Sequence, residues 1–168
     1  FIGVIFLSFV AACNMDTYFD KLKKAEELGA AAIVYKSLFE EQIQLERFQL
    51  DERLTEFNDI YAEMVTIHPH IEHAGPDEHL LNIRKARESL SIPLIASLNA
   101  VNIDTWIKYA GLLSETGVNG IELNFYQTPS DFDKNANDIE DDQISIVKEI
   151  RHNISIPISV KLSSDYTN

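Results

Sequence analysis

Short apolar segments alternate with longer amphipathic segments along most of the chain. The apolar segments are almost continuously hydrophobic, as is typical of strands buried on both faces of a parallel sheet. They are AAAIVY, SIPLIASLN, VNGIELN and SIPISVKLS. The segments between them place hydrophobic residues at helical spacing. This alternation predicts an α/β fold in which helices cover a sheet of parallel strands.

The amphipathic segments carry residues that favour helix boundaries. Asp16 is a suitable N-cap for a first helix, and Gly29 follows that helix as its C-terminal stop. Pro76 suits the first position of a later helix. Gly117 ends the segment DTWIKYAGLLSETG. These residues predict three helices, each followed by a predicted strand.

Two polar segments are predicted to differ in structure. Residues 40–64 are highly charged but roughly helical in pattern, whereas residues 131–142 are predicted to form an acidic loop before a helix over 143–153. The acidic loop lacks the glycine and terminal glutamate of a calcium-binding EF-hand. The two strand segments that begin with Ser-Ile-Pro resemble copies of one unit. This weak repeat is compatible with a (β/α) barrel.

The N-terminal segment FIGVIFLSFVAAC is apolar and invites two interpretations. It is shorter than the roughly 20 residues that span a bilayer, and no basic segment precedes it. We therefore expect one strand, or two strands around a turn, rather than a lipidated membrane anchor. Cys13 is the only cysteine, so no internal disulfide is expected and a reducing cytoplasm is the predicted compartment.

Length and charge limit the class of protein. The 168 residues are predicted to belong to one domain, and 45% hydrophobic content with a mean hydropathy of -0.11 is typical of a globular chain. The net charge is -13, from 14 basic and 27 acidic residues. This charge disfavours nucleic acid and anionic membranes as partners. We expect a small-molecule substrate instead.

Polar residues end the predicted strands. They are Lys36 and Ser37, Ser97 and Asn99, Asn124, and Lys161 with Ser163. Ligands bind at the carboxyl ends of the strands in barrels and open α/β sheets. Lysines and amides together suit a ligand that is partly anionic and has amide-like edges, such as a flavin or a phosphosugar. The alternative is that each side chain is solvated or caps the following helix.

Four segments carry a resemblance to a known family. They are ELGAAAIVYKSLFEEQI, GPDEHLLNIRKARESLSIPLIASLNAV, GVNGIELNFY and IPISVKLS. In this order and spacing they resemble the N-terminal half of the dihydroorotate dehydrogenase family, closest to its dihydroorotate dehydrogenase-like bacterial branch. The resemblance covers most of residues 1–163. It implies a (β/α)8 TIM barrel with about its first five strands present, FMN as cofactor, a role in pyrimidine biosynthesis and a possible homodimer.

The resemblance also implies roles for individual residues. Lys36 matches a lysine that contacts flavin and substrate, with Ser37 beside it. Asn124 matches the asparagine of an ELN motif near the flavin ring and the substrate. Lys161 matches a lysine of a VKL motif that faces the pyrimidine end of the flavin, where a cation stabilises the negative charge of the reduced ring.

Further cofactor contacts are implied at two other strand ends. The backbone of Ala11, Ala12 and Cys13 matches the small-residue stretch that lies along the flavin. Ser97 and Asn99 match a strand tip that also faces the flavin. With Lys36, Ser37, Asn124 and Lys161, these residues form the predicted cofactor site.

The segment after Asn124 departs from the family pattern. The family has a Cys or Ser base a few residues after the asparagine, but this chain reads NFYQTPS with no cysteine. Gln127 and Thr128 have no pKa near neutrality that suits a general base. Tyr126 and Ser130 need activation by a neighbour. The catalytic residue is therefore unassigned, with Tyr126, Thr128 and Ser130 as weak candidates.

The chain stops just past the predicted fifth barrel strand. The last three strands of the family, with the glycine-rich loops that hold the FMN phosphate, are not in this sequence. We therefore expect the N-terminal part of a longer chain, which is inactive by itself. Two alternatives stay open: a non-catalytic barrel fragment that acts as a binding or assembly module, and a flavin-free barrel enzyme that binds a phosphosugar.

The segment HPHIEHAGPDEH concentrates histidines. His68, His70, His73 and His79 have spacings that can bind zinc or nickel. Pro69 and a following glycine indicate a loop. The sequence shows no recognisable residues that would orient the histidines as metal ligands. We expect no physiological metal here.

Overall fold

Strands and helices alternate in the computed structural model, which describes residues 6–8, 15–45, 75–126 and 135–162. The strands are β1 (Phe6–Ser8), β2 (Ala32–Val34), β3 (Leu38–Phe39), β4 (Leu94–Asn99), β5 (Gly120–Phe125) and β6 (Ile158–Leu162). The helices are α1 (Met15–Glu27), α2 (helical over 40–45), α3 (Pro76–Ser89), α4 (Ile103–Ser114) and α5 (Ala136–Asn153).

All described strand pairs are parallel. The sheet order is β1-β2-β4-β5-β6, and the short β3 also pairs with β4. α4 lies in the crossover from β4 to β5 and α5 in the crossover from β5 to β6, as is usual between parallel strands. The sheet curls into a half-barrel, so the predicted α/β fold with part of a TIM barrel is confirmed.

The two faces of the sheet differ in chemistry. Successive residues of a strand point to opposite faces. Phe125 contacts the ring of Trp106 in α4, with the centroids 5.0 Å apart, so its face of β5 lies against the helices. That face is apolar and buried, and burial of each large aliphatic side chain contributes about 1.5–3 kcal/mol. Its buried members on the central strands are Leu94, Ala96, Leu98, Ile121 and Leu123.

Most predicted helix boundaries agree with the structure. Gly29 and Gly117 adopt positive φ angles of 91° and 84°, directly after α1 and α4, where side chains larger than hydrogen are strained. Pro76 is the first residue of α3. α1 begins at Met15, so Asp16 lies inside the helix rather than capping it.

The predicted acidic loop over 131–142 is wrong in its second half. α5 begins at Ala136, because Asn135 and Asp138 form a reciprocal capping box. The Asn135 side chain accepts a hydrogen bond from the Asp138 backbone, and the Asp138 carboxylate accepts one from the Asn135 backbone, both at 3.1 Å. Acidic side chains also stabilise the N-terminal turn of a helix. The acidic composition of this segment favoured a loop, whereas the capping residues start a helix within it.

Two predicted elements are described only in part. The N-terminal segment contains β1, which confirms a strand there, and the helix predicted over 40–64 is confirmed for 40–45. No helix in the described ranges is long and apolar enough to cross a membrane. At the other end, β6 forms one border of the described sheet, and Val160 and Leu162 are 46% and 48% exposed.

Candidate functional site

Strand register brings the polar strand ends together on the concave face of the sheet. Ser97 pairs in register with Glu122, and Asn124 pairs with Lys161. Asn99 lies two residues after Ser97 and therefore on the same face. Neighbouring strands are about 4.8 Å apart, so these side chains are adjacent. Four of the predicted site residues, Ser97, Asn99, Asn124 and Lys161, thus share one surface at the carboxyl edge.

Asn99 holds the end of β5 in place. Its side-chain nitrogen donates hydrogen bonds to the backbone oxygens of Asn124 at 2.7 Å and of Tyr126 at 3.3 Å. Asn99 is buried, so these contacts are shielded from water. Because both amide protons are used within the protein, Asn99 positions Asn124 rather than offering its amide nitrogen to a ligand.

Asn124 and Lys161 are the polar pair that is accessible to a ligand. Asn124 is only 9% exposed, yet its side chain makes no hydrogen bond to another described residue. Lys161 is exposed beside it. An asparagine amide has both hydrogen-bond donors and an acceptor, so the Asn124 side chain is able to bind a ligand that has a polar edge.

Lys36 and Ser37 lie just beyond the end of β2 and point in different directions. The Lys36 ammonium lies over the ring of Tyr18 in α1, 5.9 Å from its centroid. None of the described contacts of Lys36 is with Asn124 or Lys161. Ser37 instead contacts the concave face, because its Oγ is 2.7 Å from Oγ of Ser97.

Buried aromatic residues surround Lys36 on the helical side. Tyr18 and Tyr35 meet edge to face at 5.1 Å, and Tyr35 meets His79 in the same way at 5.5 Å. Burial raises the pKa of Tyr18 to about 12, with a smaller opposing effect from the Lys36 backbone. Burial, together with the charge of Lys36, lowers the pKa of His79 to about 3. His79 is therefore a neutral core residue.

The predicted histidine loop lies largely outside the described residues. His68, His70 and His73 are in the undescribed range, and His79 is buried in α3. Within the described ranges, no group of three or more His, Cys, Asp or Glu side chains is arranged to hold a metal ion. His79 points into the aromatic cluster.

Glu122 is a site residue that the sequence analysis missed. Its Oε1 accepts a hydrogen bond from Ser97 Oγ at 3.1 Å, and Ser97 in turn contacts Ser37. Glu122 precedes Asn124 by two residues in the segment GIELN. The period of two that places Asn124 on the concave face places Glu122 there as well, so the signal was present.

Glu40 is a second missed residue and has a structural role. Its carboxylate accepts hydrogen bonds from the backbone of Val101 and of Asn102, the latter at 2.9 Å, from the Asn102 side chain, and from Thr105 Oγ1 at 3.4 Å. Burial by itself raises the pKa of Glu40, but the bonds from Asn102 and Val101 outweigh it and lower the pKa. The N-terminus of α4 is thus occupied by a protein carboxylate.

Of the remaining predicted site residues, the structure describes only Tyr126. Ala11, Ala12, Cys13, Thr128 and Ser130 lie outside the described residues. Tyr126 follows β5 directly, and its side chain is 69% exposed. Its hydroxyl makes no hydrogen bond with another described residue, so the described contacts show no group that activates it.

Comparison with known proteins gives one sequence relative and a shared fold. No protein-family model matches the chain. The chain is 29% identical over 176 aligned positions to the catalytic subunit of dihydroorotate dehydrogenase B (NAD(+)) from Thermoplasma volcanium, covering 95% of this chain and 50% of the relative. The chain therefore spans about half the length of this curated relative.

Solved structures share the architecture of the chain. A crystal structure of dihydrodipicolinate synthase matches with a TM-score of 0.58 and 14% sequence identity, covering 98% of this chain and 46% of that chain. At this identity the similarity shows the fold alone. The chain thus has the fold of a partial (β/α) barrel, and its sequence is similar to half of a dehydrogenase subunit.

Proposed function

We propose that this chain is the N-terminal part of an FMN-dependent oxidoreductase, in which hydride passes between a small substrate and the flavin. The substrate is dihydroorotate or a similar compound. The observation that carries the proposal is the Asn124–Lys161 pair, which places an amide in register with an exposed ammonium at the carboxyl edge. The similarity to a dihydroorotate dehydrogenase subunit supports the same chemistry.

The chemistry of this pair fits a flavin. The pyrimidine end of the ring has both hydrogen-bond donors and acceptors, and an asparagine side chain offers both as well. FMN supplies a hydride acceptor when it is bound. Lys161 would stabilise the negative charge of the reduced ring, because a cation in a partly enclosed site favours an adjacent anion. Asn124 would orient the ring and the substrate.

Other predicted site residues lie near Asn124 and Lys161 and contribute to the same surface. Asn99 holds the backbone at the end of β5, the strand that carries Asn124. Ser37 and Ser97 provide hydroxyls on the same face. The Lys36 ammonium lies over the Tyr18 ring of α1, and a contact of Lys36 with flavin and substrate stays a prediction. The homodimer and the cytoplasmic location stay predictions.

The full-length gene product tests this function directly. We expect it to purify with FMN and to show the visible absorbance of an oxidised flavin, which anaerobic dihydroorotate bleaches. Added FMN should also raise the midpoint of thermal unfolding of the flavin-free protein. A colourless full-length protein whose thermal unfolding is unchanged by FMN would contradict the proposal. That result would favour the non-catalytic module or the flavin-free barrel enzyme.

A further inference from the structure

A chain of hydrogen bonds crosses the concave face just below Asn124. Ser37 Oγ lies 2.7 Å from Ser97 Oγ, and Ser97 Oγ lies 3.1 Å from Oε1 of Glu122. Ser97 is almost completely buried, whereas Ser37 is half-buried at the carboxyl edge. The hydrogen-bonded series Glu122–Ser97–Ser37 therefore connects a carboxylate on the concave face to a hydroxyl at the carboxyl edge of the sheet.

The hydrogen bond from Ser97 to Glu122 fixes the direction of the other bond in this series. Ser97 donates its single hydroxyl proton to Oε1 of Glu122. Ser37 must then donate its own proton to Ser97. The Ser37 oxygen is left with lone pairs and no proton of its own to offer. Ser37 Oγ is therefore able to accept a proton or a hydrogen bond from a bound ligand.

Dehydrogenation of a carbon–carbon bond requires such an acceptor. One carbon loses a hydride and its neighbour loses a proton, and the proton needs a base. The segment NFYQTPS, which begins at Asn124 in β5, contains no cysteine, and Tyr126 has no activating contact among the described residues. Thr128 and Ser130, the other candidates, lie outside the described residues. Glu122 is the only acidic residue in the described strands.

We propose that Glu122, acting through the hydroxyls of Ser97 and Ser37, is the terminal acceptor of the substrate proton, an assignment that rests on the proposed function. The substrate C–H bond breaks and its proton passes to Ser37 Oγ. The Ser37 proton moves to Ser97 Oγ, and the Ser97 proton forms an O–H bond on Glu122. Each hydroxyl gives up one proton as it receives another, so neither serine is ionised.

The electrons of this step are balanced by the hydride transfer. The electron pair of the broken C–H bond forms the carbon–carbon double bond of the product. FMN, when bound, would supply the acceptor for the hydride that leaves the neighbouring carbon. After product release, Glu122 returns its proton along the same hydroxyls to water. Glu122 acts through Ser97 and is thus a positioning and proton-storing residue, and Ser37 is the group that contacts the substrate.

The full-length protein carrying FMN provides the test, with anaerobic dihydroorotate as the probe. Glu122→Gln keeps the shape and the acceptor for Ser97 but takes up no proton. We expect it to slow flavin reduction by about 100-fold or more, with unchanged FMN affinity. Infrared difference spectra should show a protonated carboxyl band on reduction of the wild-type protein. The Glu122→Gln variant should lack that band.

Two serine variants separate proton transfer from a structural role. Ser97→Ala should slow reduction as strongly as Glu122→Gln, and Ser97→Thr, which keeps the hydroxyl, should restore most of the rate. Ser159→Ala is the matched control, because Ser159 flanks Glu122 in register on the other side and makes no described hydrogen bond to it. It should reduce at the wild-type rate.

The outcomes distinguish this relay from the function on which it rests. Wild-type reduction rates in Glu122→Gln, or a carboxyl band that persists in it, would overturn the relay and leave the oxidoreductase standing. Bound FMN that dihydroorotate does not reduce would overturn the relay for this substrate while leaving flavin binding intact. A full-length protein that does not bind FMN would remove both.

Discussion

The side-chain nitrogen of Asn99 donates a 2.7 Å hydrogen bond to the backbone oxygen of Asn124. The two residues lie 25 positions apart, on neighbouring strands, and the bond joins the ends of β4 and β5. A second bond from the same nitrogen to Tyr126 holds the backbone after β5. One buried amide therefore sets the geometry of the strand end that carries the candidate ligand site.

Replacement of Asn99 tests this positioning role. Asn99→Ala removes the side-chain donor to the Asn124 and Tyr126 carbonyls, while the Tyr126 N–H still donates to Asn124 O at 2.9 Å, so we expect a loss of about 0.5–1.5 kcal/mol in the free energy of unfolding. FMN affinity should fall too, because Asn99 no longer holds the strand end that carries Asn124. Urea unfolding and FMN titration measure the two effects. Asn137→Ala, on the exposed surface of α5, is the control and should change neither.

Glu40 gives a second prediction, in which the sign of the pH effect is decisive. Its folded pKa is lowered, so its contribution to stability is present above the usual carboxyl pKa and is lost as the pH falls through the folded value. Glu40→Gln should therefore lower the free energy of unfolding at neutral pH by about 1–3 kcal/mol and should reduce the acid sensitivity of the protein.

Urea unfolding at neutral pH and at about pH 4 tests this prediction, since carboxyl groups titrate in that range. Glu41→Gln is the matched control, because Glu41 is adjacent in α2 but exposed. Equal losses in the two variants would show that the bonds from Glu40 to the α4 N-terminus do not contribute to stability.

Much of the fold was predictable because it depends on local pattern. Continuous apolar runs located β4, β5 and β6, and Gly29 and Gly117 marked the ends of two helices. The period of two along β5 is enough to place Asn124 on the concave face. The same period, counted two residues toward the N-terminus from Asn124, places Glu122 on that face as well.

Other features depend on contacts that the sequence does not display. Glu40 binds residues about 60 positions away, and nothing near it in sequence indicates that partner. β3 has two residues, too few for a periodic pattern. Lys36 lies beyond Val34, the last residue of β2, so strand alternation does not set the direction of its side chain, and its contact with the Tyr18 ring was not visible in the sequence.

His79 should make the protein less stable as the pH falls below neutrality. Its pKa is lowered from 6.5 to about 3, so below about pH 6.5 the unfolded chain binds a proton that the folded protein does not. Stability should fall by up to about 1.4 kcal/mol per pH unit between about pH 6.5 and pH 5, before most carboxyl groups titrate.

Substitution of His79 isolates this contribution. His79→Phe keeps a ring against Tyr35 and removes the titrating group, so the slope of stability against pH in that window should flatten. His152→Gln is the control, because His152 is exposed at the end of α5. Urea unfolding at several pH values gives the slopes, and an unchanged slope in His79→Phe would mean that His79 titrates in the folded protein.

Lys161 is the residue on which the proposed flavin chemistry depends most directly. Its ammonium is exposed beside Asn124, where it would meet the charge that develops on a reduced flavin. A hydrogen bond to a charged group contributes about 1.5–3 kcal/mol, so Lys161→Ala in the full-length protein should weaken FMN binding by about 10-fold or more. It should also lower the reduction potential of the flavin, because the reduced anion loses its cation.

The control for this variant must make the same change in net charge elsewhere. Lys85→Ala does so on the exposed face of α3 and should leave affinity and potential as in the wild type. FMN titration by fluorescence and an anaerobic redox titration measure both quantities. A Lys161→Ala protein with unchanged affinity but a lowered potential would restrict the lysine to charge stabilisation. If both quantities stay unchanged, the carboxyl end of β6 is not where the flavin binds.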